Sequence, residues 1–288
     1  MIKALFISDL HGSKQKYDLL FKKILSEKPA AVFIGGDLLG FTGLDSTFPA
    51  SFDFFYDFLQ PELQRLRTHL KKEYPQVYII LGNDDSKSHE DVLIDISTTG
   101  LLTYVHDRKV QFMGYSVVGY SYVPPSPFLN KDWEKYDVSQ FTDVGCVSPE
   151  EGYRSIAVLT ENLRFYTIKY DLDVLFKNSD MNKTICLFHT PPYQTHLDRA
   201  ALDGKMIDYA PLDVHVGSIA VKKFIEKKQP YITLHGHIHE STRITGLWNQ
   251  KIGKTFSFQG ASETDDYAIL IIDMENPQDA VRVVKQVL

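Results

Sequence analysis

Short apolar runs that end in a polar turn recur along this sequence, and this repetition limits the folds open to the chain more than any other feature. The first run, residues 2–8, ends at Asp9 and His11, and the second, residues 30–34, ends at Asp37. Helical periodicity separates several of these runs. Buried strands that alternate with helices predict an α/β fold class.

The other predicted elements follow from the same two patterns. Predicted strands lie at 2–8, 30–34, 77–81, 101–105, 109–113, 116–120, 183–188 and 231–234, with further short strands after residue 243. Predicted helices lie at 16–26, 52–74 with an interruption at Pro61, 161–178 and 216–228. From residue 101 the strands are short and separated by turns, so we expect parallel order to give way to hairpins there.

A stretch from about 122 to 151 is rich in Pro, aromatic and charged residues and is predicted to be a long surface excursion. Its aromatic side chains, Tyr122, Phe128 and Trp133, and the preceding Tyr120 allow two interpretations. They stack on a flat substrate group, or they form a local core that holds the loop down. The sequence leaves both open.

Charge and apolar content limit the partners of the chain. It carries 31 Lys and Arg against 37 Asp and Glu, a formal net charge of −6. Proteins that bind long nucleic acids neutralise many phosphates with clustered basic residues, so this balance disfavours a nuclease acting on long substrates. No apolar run reaches the ~18 residues of a membrane-spanning helix, and Asp9 comes too early for a signal peptide. We expect a cytoplasmic protein without a membrane partner, in which Cys146 and Cys186 are unpaired buried thiols.

Polar side chains at the strand ends form the candidate site, because ligands of open α/β folds bind at the carboxyl ends of strands. The segments are Asp9-x-His11, Asp37, Asn83, His189 and His237-x-His239. Each alone is compatible with an ordinary turn or a hydrogen-bonded histidine. Together they supply the oxygen and nitrogen ligands that a two-metal centre needs, without a cysteine.

The order and spacing of these segments resemble the calcineurin-like metallophosphoesterases, whose signature is D-x-H, G-D, G-N-H-D/E, a lone H and G-H-x-H. The match runs from Asp9 to His239, nearly the whole chain. The resemblance implies a four-layer α/β/β/α metallophosphoesterase sandwich with two mixed β-sheets. It also implies one domain over residues 1–288, with the excursion as its specificity element.

The resemblance divides the metal-binding positions between two ions: Asp9, His11 and His239 for the first, Asn83, His189 and His237 for the second, and Asp37 for both. A shared carboxylate is expected because two ions about 3.5–4 Å apart repel each other. The implied nucleophile is a metal-bridging hydroxide that attacks phosphorus in line. Mn, Fe or Zn fit this donor set best, and Ni or Co are compatible with it.

One position departs from the family signature. G-N-H-D/E reads Gly82-Asn83-Asp84-Asp85 here, so Asp84 replaces the histidine that contacts the phosphate and protonates the leaving oxygen in the family. Asp84 is either protonated beside Asp85, or takes part in ligation, or leaves the acid role to another group. The histidines available for that role are His196, His215 and His235, whereas His69, His89 and His106 are interpreted as surface residues. Arg199 is either a phosphate-binding residue or a surface charge.

The predicted function is metal-dependent hydrolysis of a small phosphoester, with Asp37 and Asp84 as the catalytic residues. A phosphodiester is preferred, because diesters with good leaving groups depend less on an acid than alkyl monoesters do. The alternatives are a phosphomonoesterase acting on a small phosphorylated metabolite and a metal-binding scaffold with weak activity. Retention of every ligand position disfavours the scaffold, and the sequence leaves the substrate and the oligomeric state open.

Overall fold

Two mixed six-stranded sheets form the centre of the molecule. The computed structural model describes residues 2–40, 52–177, 179–263 and 266–286. The strands of the first sheet, numbered in chain order and given in spatial order, are β14 (Val281–Gln286), β13 (Asp266–Asp273), β1 (Lys3–Ile7), β2 (Ala31–Gly35), β3 (Gln76–Ile80) and β4 (Thr103–Tyr104). β1 to β4 run parallel, and β13 and β14 extend the sheet by antiparallel pairing.

The second sheet also has a parallel centre and antiparallel edges. In spatial order its strands are β11 (Asn249–Ile252), β12 (Thr255–Gln259), β10 (Ile232–His235), β7 (Thr184–Phe188), β6 (Tyr115–Tyr120) and β5 (Lys109–Phe112). A separate small hairpin pairs β8 (Met206–Ile207) with β9 (Ala210–Pro211).

Helices cover the outer faces of both sheets. On the first sheet they are α1 (Lys14–Glu27), α2 (Gln60–Leu70) and α3 (Glu90–Thr98), and on the second α5 (Ile168–Leu175) and α6 (Ile219–Lys228). Two further short helices are α4 (Thr160–Phe165) and α7 (Ser241–Thr245). One apolar core lies between the first sheet and α1 to α3. The second core lies between the sheets, where the rings of Phe33 and Tyr78 stack at 5.4 Å. The third lies between the second sheet and the helices α5 and α6, where the ring centroids of Phe176 and Phe224 are 4.4 Å apart. Three cores between four layers confirm the predicted sandwich.

The sequence predictions differ from the structure where local chemistry outweighs apolar periodicity. At the predicted interruption the helix type changes, because a π-helix over Phe54–Leu59 leads directly into α2 at Gln60. Pro61 lies in the first turn of α2, where proline is tolerated. The predicted helix at 161–178 is two helices, and Thr167 caps the second by accepting a hydrogen bond from the Tyr170 backbone nitrogen at 3.2 Å. Its predicted end, Asn178, lies outside the described residues.

Antiparallel pairing begins later in the chain than the predicted residue 101. β4 still pairs in parallel with β3, and the first hairpin along the chain is formed by β5 and β6. No sequence pattern signals the β8–β9 hairpin. Its turn has Asp208 and Tyr209 in the left-handed region, with φ of 46° and 68°. Such turns are normally signalled by Asn-Gly or Asp-Gly, which this sequence lacks here.

The predicted excursion between β6 and α4 has an interior of its own. Lys131 and Glu134 form an ion pair at 2.5 Å inside it, and both side chains are buried. Arg154 donates hydrogen bonds to the carbonyl oxygens of Glu134 and Pro149 at 3.1 and 3.2 Å. These paired charges fix the shape of a segment without helices or sheet strands, because removing one partner would leave a buried charge uncompensated.

Candidate metal centre

The loops that follow β1 and β2 run side by side at the carboxyl end of the first sheet. The Asp9 nitrogen donates to the Gly36 carbonyl at 3.0 Å, and the His11 nitrogen donates to the Asp37 carbonyl at 2.9 Å. These bonds continue the strand pairing beyond the sheet. They bring the first three predicted site residues together.

Four of the predicted site residues have a left-handed backbone. Asp9, His11, Asp37 and His237 have φ values of 60°, 47°, 50° and 74°. Asp and His tolerate this conformation better than most residues other than glycine. Left-handed residues of this kind cluster at functional sites, where the surrounding structure holds them.

The first group of side chains consists of Asp9, His11, Asp37 and His239, whose ligand atoms all lie within 4.8 Å of one another. The Nε2 atoms of His11 and His239 are 3.0 Å apart. His239 Nε2 also lies 3.3 Å from Asp9 Oδ1. Ring nitrogens and carboxylate oxygens approach this closely only around a proton or a metal cation.

Asp37 is shared with a second group that contains His189 and His237. The Nδ1 atom of His189 lies 2.7 Å from the Gly35 carbonyl oxygen and donates to it. In the neutral ring Nε2 is then an acceptor, 2.9 Å from Asn83 Oδ1 and 3.3 Å from Asp37 Oδ2. The Asn83 amide is oriented by a 3.0 Å hydrogen bond from Nδ2 to Asp84. Acceptors alone therefore converge here, which is the arrangement that a cation requires.

The pKa shifts agree with this geometry. Burial raises the pKa of Asp9, but the neighbouring His239, His189 and His11 outweigh it and hold that pKa well below its usual range. Burial lowers the pKa of His189, but the Asp37 charge outweighs it and raises the value to about 10. A proton thus occupies the position between acceptors that a metal would take, and metal binding would release it.

All the side chains predicted as metal ligands lie together in the structure: Asp9, His11, Asp37, Asn83, His189, His237 and His239. The donors are carboxylate, imidazole and amide groups, which suit divalent first-row metals. The seven side chains fit two ions that share the Asp37 carboxylate. Their role as metal ligands stays a prediction.

The glycine of the G-N motif is required by close packing at this site. An added Cβ at Gly82 would overlap Asp37 Oδ1 and the Asp37 nitrogen, and would lie 2.6 Å from His189 Cε1. These contacts involve backbone and buried side chains that cannot move aside cheaply. Gly82 therefore allows the loop after β3 to reach the shared carboxylate.

Asp85 joins the loops beneath the site. It is fully buried and accepts hydrogen bonds from the backbone nitrogens of Leu38, Leu39 and Gly82 at 3.0, 2.8 and 2.8 Å. Burial and the nearby Asp37 charge raise its pKa to about 8. Its side chain faces these nitrogens, which gives it a structural role.

Asp84 faces the open side of the site. Its backbone nitrogen donates to Asp37 Oδ1 at 2.8 Å, and its Oδ2 lies 3.4 Å from His11 Nδ1. Burial and the Asp37 charge raise its pKa to about 7. Asp37 is thus the main charge acting on Asp84, a role that the sequence interpretation gave to Asp85.

A cavity of about 930 Å³ opens over the site, and Asp84 is among its lining residues. Of the three candidate acid histidines, only His215 lines it. His235 lies beneath the site, with its ring nitrogens 2.9 Å from the Thr190 carbonyl oxygen and 2.8 Å from Thr233 Oγ1. His196 is exposed outside the cavity.

His215 is held by a buried carboxylate. Its Nδ1 atom lies 2.8 Å from Asp198 Oδ1, and Asp198 is fully buried. Asp198 also accepts hydrogen bonds from the backbone nitrogens of Gln194 and Thr195 at 2.9 Å each. Arg199 does not line the cavity and donates to the Ala200 carbonyl at 2.9 Å, so its phosphate-binding interpretation lacks support.

The prediction that His106 is a surface residue is wrong. Its ring lies 4.8 Å from that of Trp133 and 5.4 Å from that of Tyr122, and the Ser121 nitrogen donates to its Nδ1 at 3.0 Å. Burial and the nearby Lys87 charge lower its pKa well below the usual range. The rings of Tyr120, Tyr122 and Trp133 therefore form a local core with His106, whereas Phe128 lines the cavity.

Fold and site together define a class: metal-dependent hydrolases of phosphoesters, built as two-sheet α/β sandwiches with a dinuclear site at the strand ends. The sequence matches the calcineurin-like phosphoesterase family over residues 2–241, and the chain belongs to that family. Among curated proteins, none matches this sequence. Within the described residues, no helix has the length and apolar character needed to cross a membrane.

A solved structure shares the fold at low sequence identity, and two others are similar at lower scores. The protein TT1561 of Thermus thermophilus superimposes with a TM-score of 0.57 at 16% identity, with 99% of each chain covered. A dimetal phosphatase from Danio rerio gives a TM-score of 0.49 at 11% identity, covering 100% of this chain and 99% of its own. A novel archaeal phosphodiesterase gives 0.43 at 10% identity, covering 98% of this chain and 99% of its own. At 16% identity the likeness to TT1561 concerns the fold alone.

Proposed function

We propose that this chain is a phosphodiesterase with two metal ions held at the strand ends. The observation that carries the proposal is Asp37, whose carboxylate belongs to both groups of converging acceptors. When bound, two such ions supply Lewis acidity and a water of lowered pKa as the nucleophile. Mn, Fe and Zn are the metals that we propose for this donor set.

The chain's own residues orient the reaction. The Asp84 backbone nitrogen holds Asp37 Oδ1 at 2.8 Å, and the Gly35 carbonyl holds His189 Nδ1 at 2.7 Å. Both contacts fix the direction of a ligand atom before substrate arrives. Such preorganisation lowers the reorganisation needed in the transition state.

The charge of the cavity favours a diester over a monoester. Among the described residues that line it, none is Lys or Arg, and the ionisable acids are Asp37, Asp84, Asp143, Asp213 and Glu240. A monoester dianion would bring two negative charges into this surrounding with only the metals to balance them. A diester brings one, so the acidic lining repels it less.

The leaving group needs a proton when it is an alkoxide. Asp84 stands at the position of the family's histidine, and we propose that it contacts the substrate oxygens. For protonation we propose His215, the cavity histidine that Asp198 holds at 2.8 Å. A buried carboxylate that orients the imidazole is a common arrangement for a general acid.

The test is hydrolysis of bis-p-nitrophenyl phosphate beside p-nitrophenyl phosphate, with metal-stripped protein refilled with Mn²⁺. We expect diester turnover that requires metal and disappears in Asp37→Asn. Dominant monoester turnover would make the chain a phosphomonoesterase. Loss of turnover on both esters, with two metals bound per chain, would favour a metal-binding scaffold.

A further inference from the structure

The cavity over the metal centre has apolar walls, and two separate segments build them. Pro124, Pro127, Phe128 and Leu129 belong to the excursion, whereas Leu202, Ile207 and Leu212 belong to the β8–β9 hairpin and its flanks. Neither segment contributes to the two large sheets. Both walls therefore lie outside the two-sheet sandwich, and they surround the end of it that carries the candidate metal centre.

The two walls meet at one point. A Cβ added to Gly145 of the excursion would lie 2.6 Å from Ile207 Cδ1 and 3.4 Å from Leu212 Cδ2. Gly145 also has a φ of 82°, which side chains rarely adopt. A glycine at this point allows the hairpin to pack directly against the excursion and to enclose the cavity on that side.

Apolar side chains of both walls remain exposed to solvent. Phe128, Leu129 and Ile207 keep 60%, 57% and 42% of their surface accessible, although all three line the cavity. Apolar groups gathered around the mouth of a cavity mark a binding groove. An apolar ligand that covers them removes apolar surface from water, which favours binding.

The acidic residues that line the cavity disfavour substrates with several phosphates. A substrate with several phosphates would bring further negative charge against Asp143, Asp213 and Glu240, and the described lining residues offer it neither Lys nor Arg. The cavity volume of about 930 Å³ exceeds what one phosphate group fills. The remaining space is bounded by apolar atoms on two sides.

We infer that the substrate is an amphiphilic phosphodiester with one phosphorus atom and one long aliphatic substituent, which lies between the excursion wall and the β8–β9 hairpin. This inference rests on the proposed phosphodiesterase function. Phe128, Leu129 and Ile207 are its specificity-determining residues.

The test measures kcat/KM of the Mn²⁺-loaded full chain on p-nitrophenyl methyl, butyl and octyl phosphates, below the concentrations at which they form micelles. A fully buried methylene contributes about fourfold, so partial burial of the added methylenes should raise kcat/KM by at least about thirtyfold from methyl to octyl. Ile207→Ser and Leu129→Ser should each reduce this ratio several-fold. Met113→Ser is the matched control and should leave the ratio unchanged, because Met113 is exposed beyond β5, at the far end of the second sheet.

A second readout is independent of turnover. Calorimetry of metal-loaded protein should show octylphosphonate binding at least about tenfold more tightly than methylphosphonate, with a more negative heat-capacity change. Equal affinities, or a flat ester series, overturn the inference even where diester hydrolysis is confirmed. Higher turnover of 2′,3′-cyclic AMP than of the octyl ester also overturns it. Tighter octylphosphonate binding by a chain that hydrolyses none of the esters supports the apolar site and overturns the proposed hydrolase.

Discussion

The base of the cavity and its walls are built differently. Predicted ligands at the base follow regular strands, and buried hydrogen bonds such as the one from Gly82 to Asp85 at 2.8 Å fix their loops. The walls come from an irregular excursion and a short hairpin, and they present exposed apolar side chains such as Phe128. Under the proposed function, the chemistry depends on the regular part of the fold, whereas substrate selection depends on segments that can change without disturbing the sheets.

The largest effect is expected from a methyl group added at the base. Gly82→Ala forces Asp37 and His189 apart, so we expect kcat/KM to fall by more than about a hundredfold. Gly114→Ala, in the turn between β5 and β6, is the control for added strain: a Cβ there meets no atom within 4 Å in the described part of the chain, so its cost is the backbone strain of a φ of 85°, away from the site. Metal content per chain should fall in Gly82→Ala and stay unchanged in the control. Full activity of Gly82→Ala would show that the base tolerates displacement.

The second largest effect is expected at His215, which lines the cavity but is not one of the predicted ligands at the base. His215→Asn should lower kcat by about a hundredfold on a diester with an alkyl leaving group, because the general acid is lost. A p-nitrophenol leaving group needs little protonation, so turnover of bis-p-nitrophenyl phosphate should change little. An equal loss on both substrates would instead assign His215 a structural role through Asp198.

Metal removal should destabilise the fold, because it leaves the Nε2 atoms of His11 and His239 3.0 Å apart without a metal cation between them. At a free metal concentration of about 100 times Kd, binding stabilises the fold by about 2.7 kcal/mol. Chelation should then lower Tm by about 5 °C or more. Differential scanning calorimetry checks this, with Asp37→Asn as the variant whose Tm should respond least to metal. An unchanged Tm in the native chain would contradict the proposed site.

The smallest effect tests the connection between wall and base. Asp132 accepts hydrogen bonds from the backbone nitrogens of Lys87 and Ser155 at 2.8 and 2.7 Å, and so ties the excursion to the loop after β3. Asp132→Ala should lower the free energy of unfolding by about 2 kcal/mol and raise KM more than it lowers kcat. Urea denaturation measures the first effect, with the exposed Asp91→Ala as a control expected to change stability by less than about 0.5 kcal/mol. Loss of bound metal in Asp132→Ala would show that wall and base form one unit.

The base and the excursion could be predicted from the sequence, whereas the hairpin wall and its packing against the excursion could not, for a physical reason. Strand ends are signalled locally, by apolar runs that stop at residues such as Asp37 and by the glycines beside them. The walls depend on distant contacts, such as that of Gly145 with Ile207, which no periodic pattern encodes. His106 was misjudged for the same reason, since its burial depends on Trp133 of the excursion.

The left-handed backbone at the base has a consequence for the evolution of the chain. Each of Asp9, His11, Asp37 and His237 holds a conformation that glycine adopts without strain, at a cost of about 1 kcal/mol or more. Glycine would relieve this strain, but it would also remove the predicted ligands and hydrogen bonds such as that from the Asp84 nitrogen to Asp37 Oδ1 at 2.8 Å. Backbone strain and the predicted metal site therefore oppose each other at these four positions.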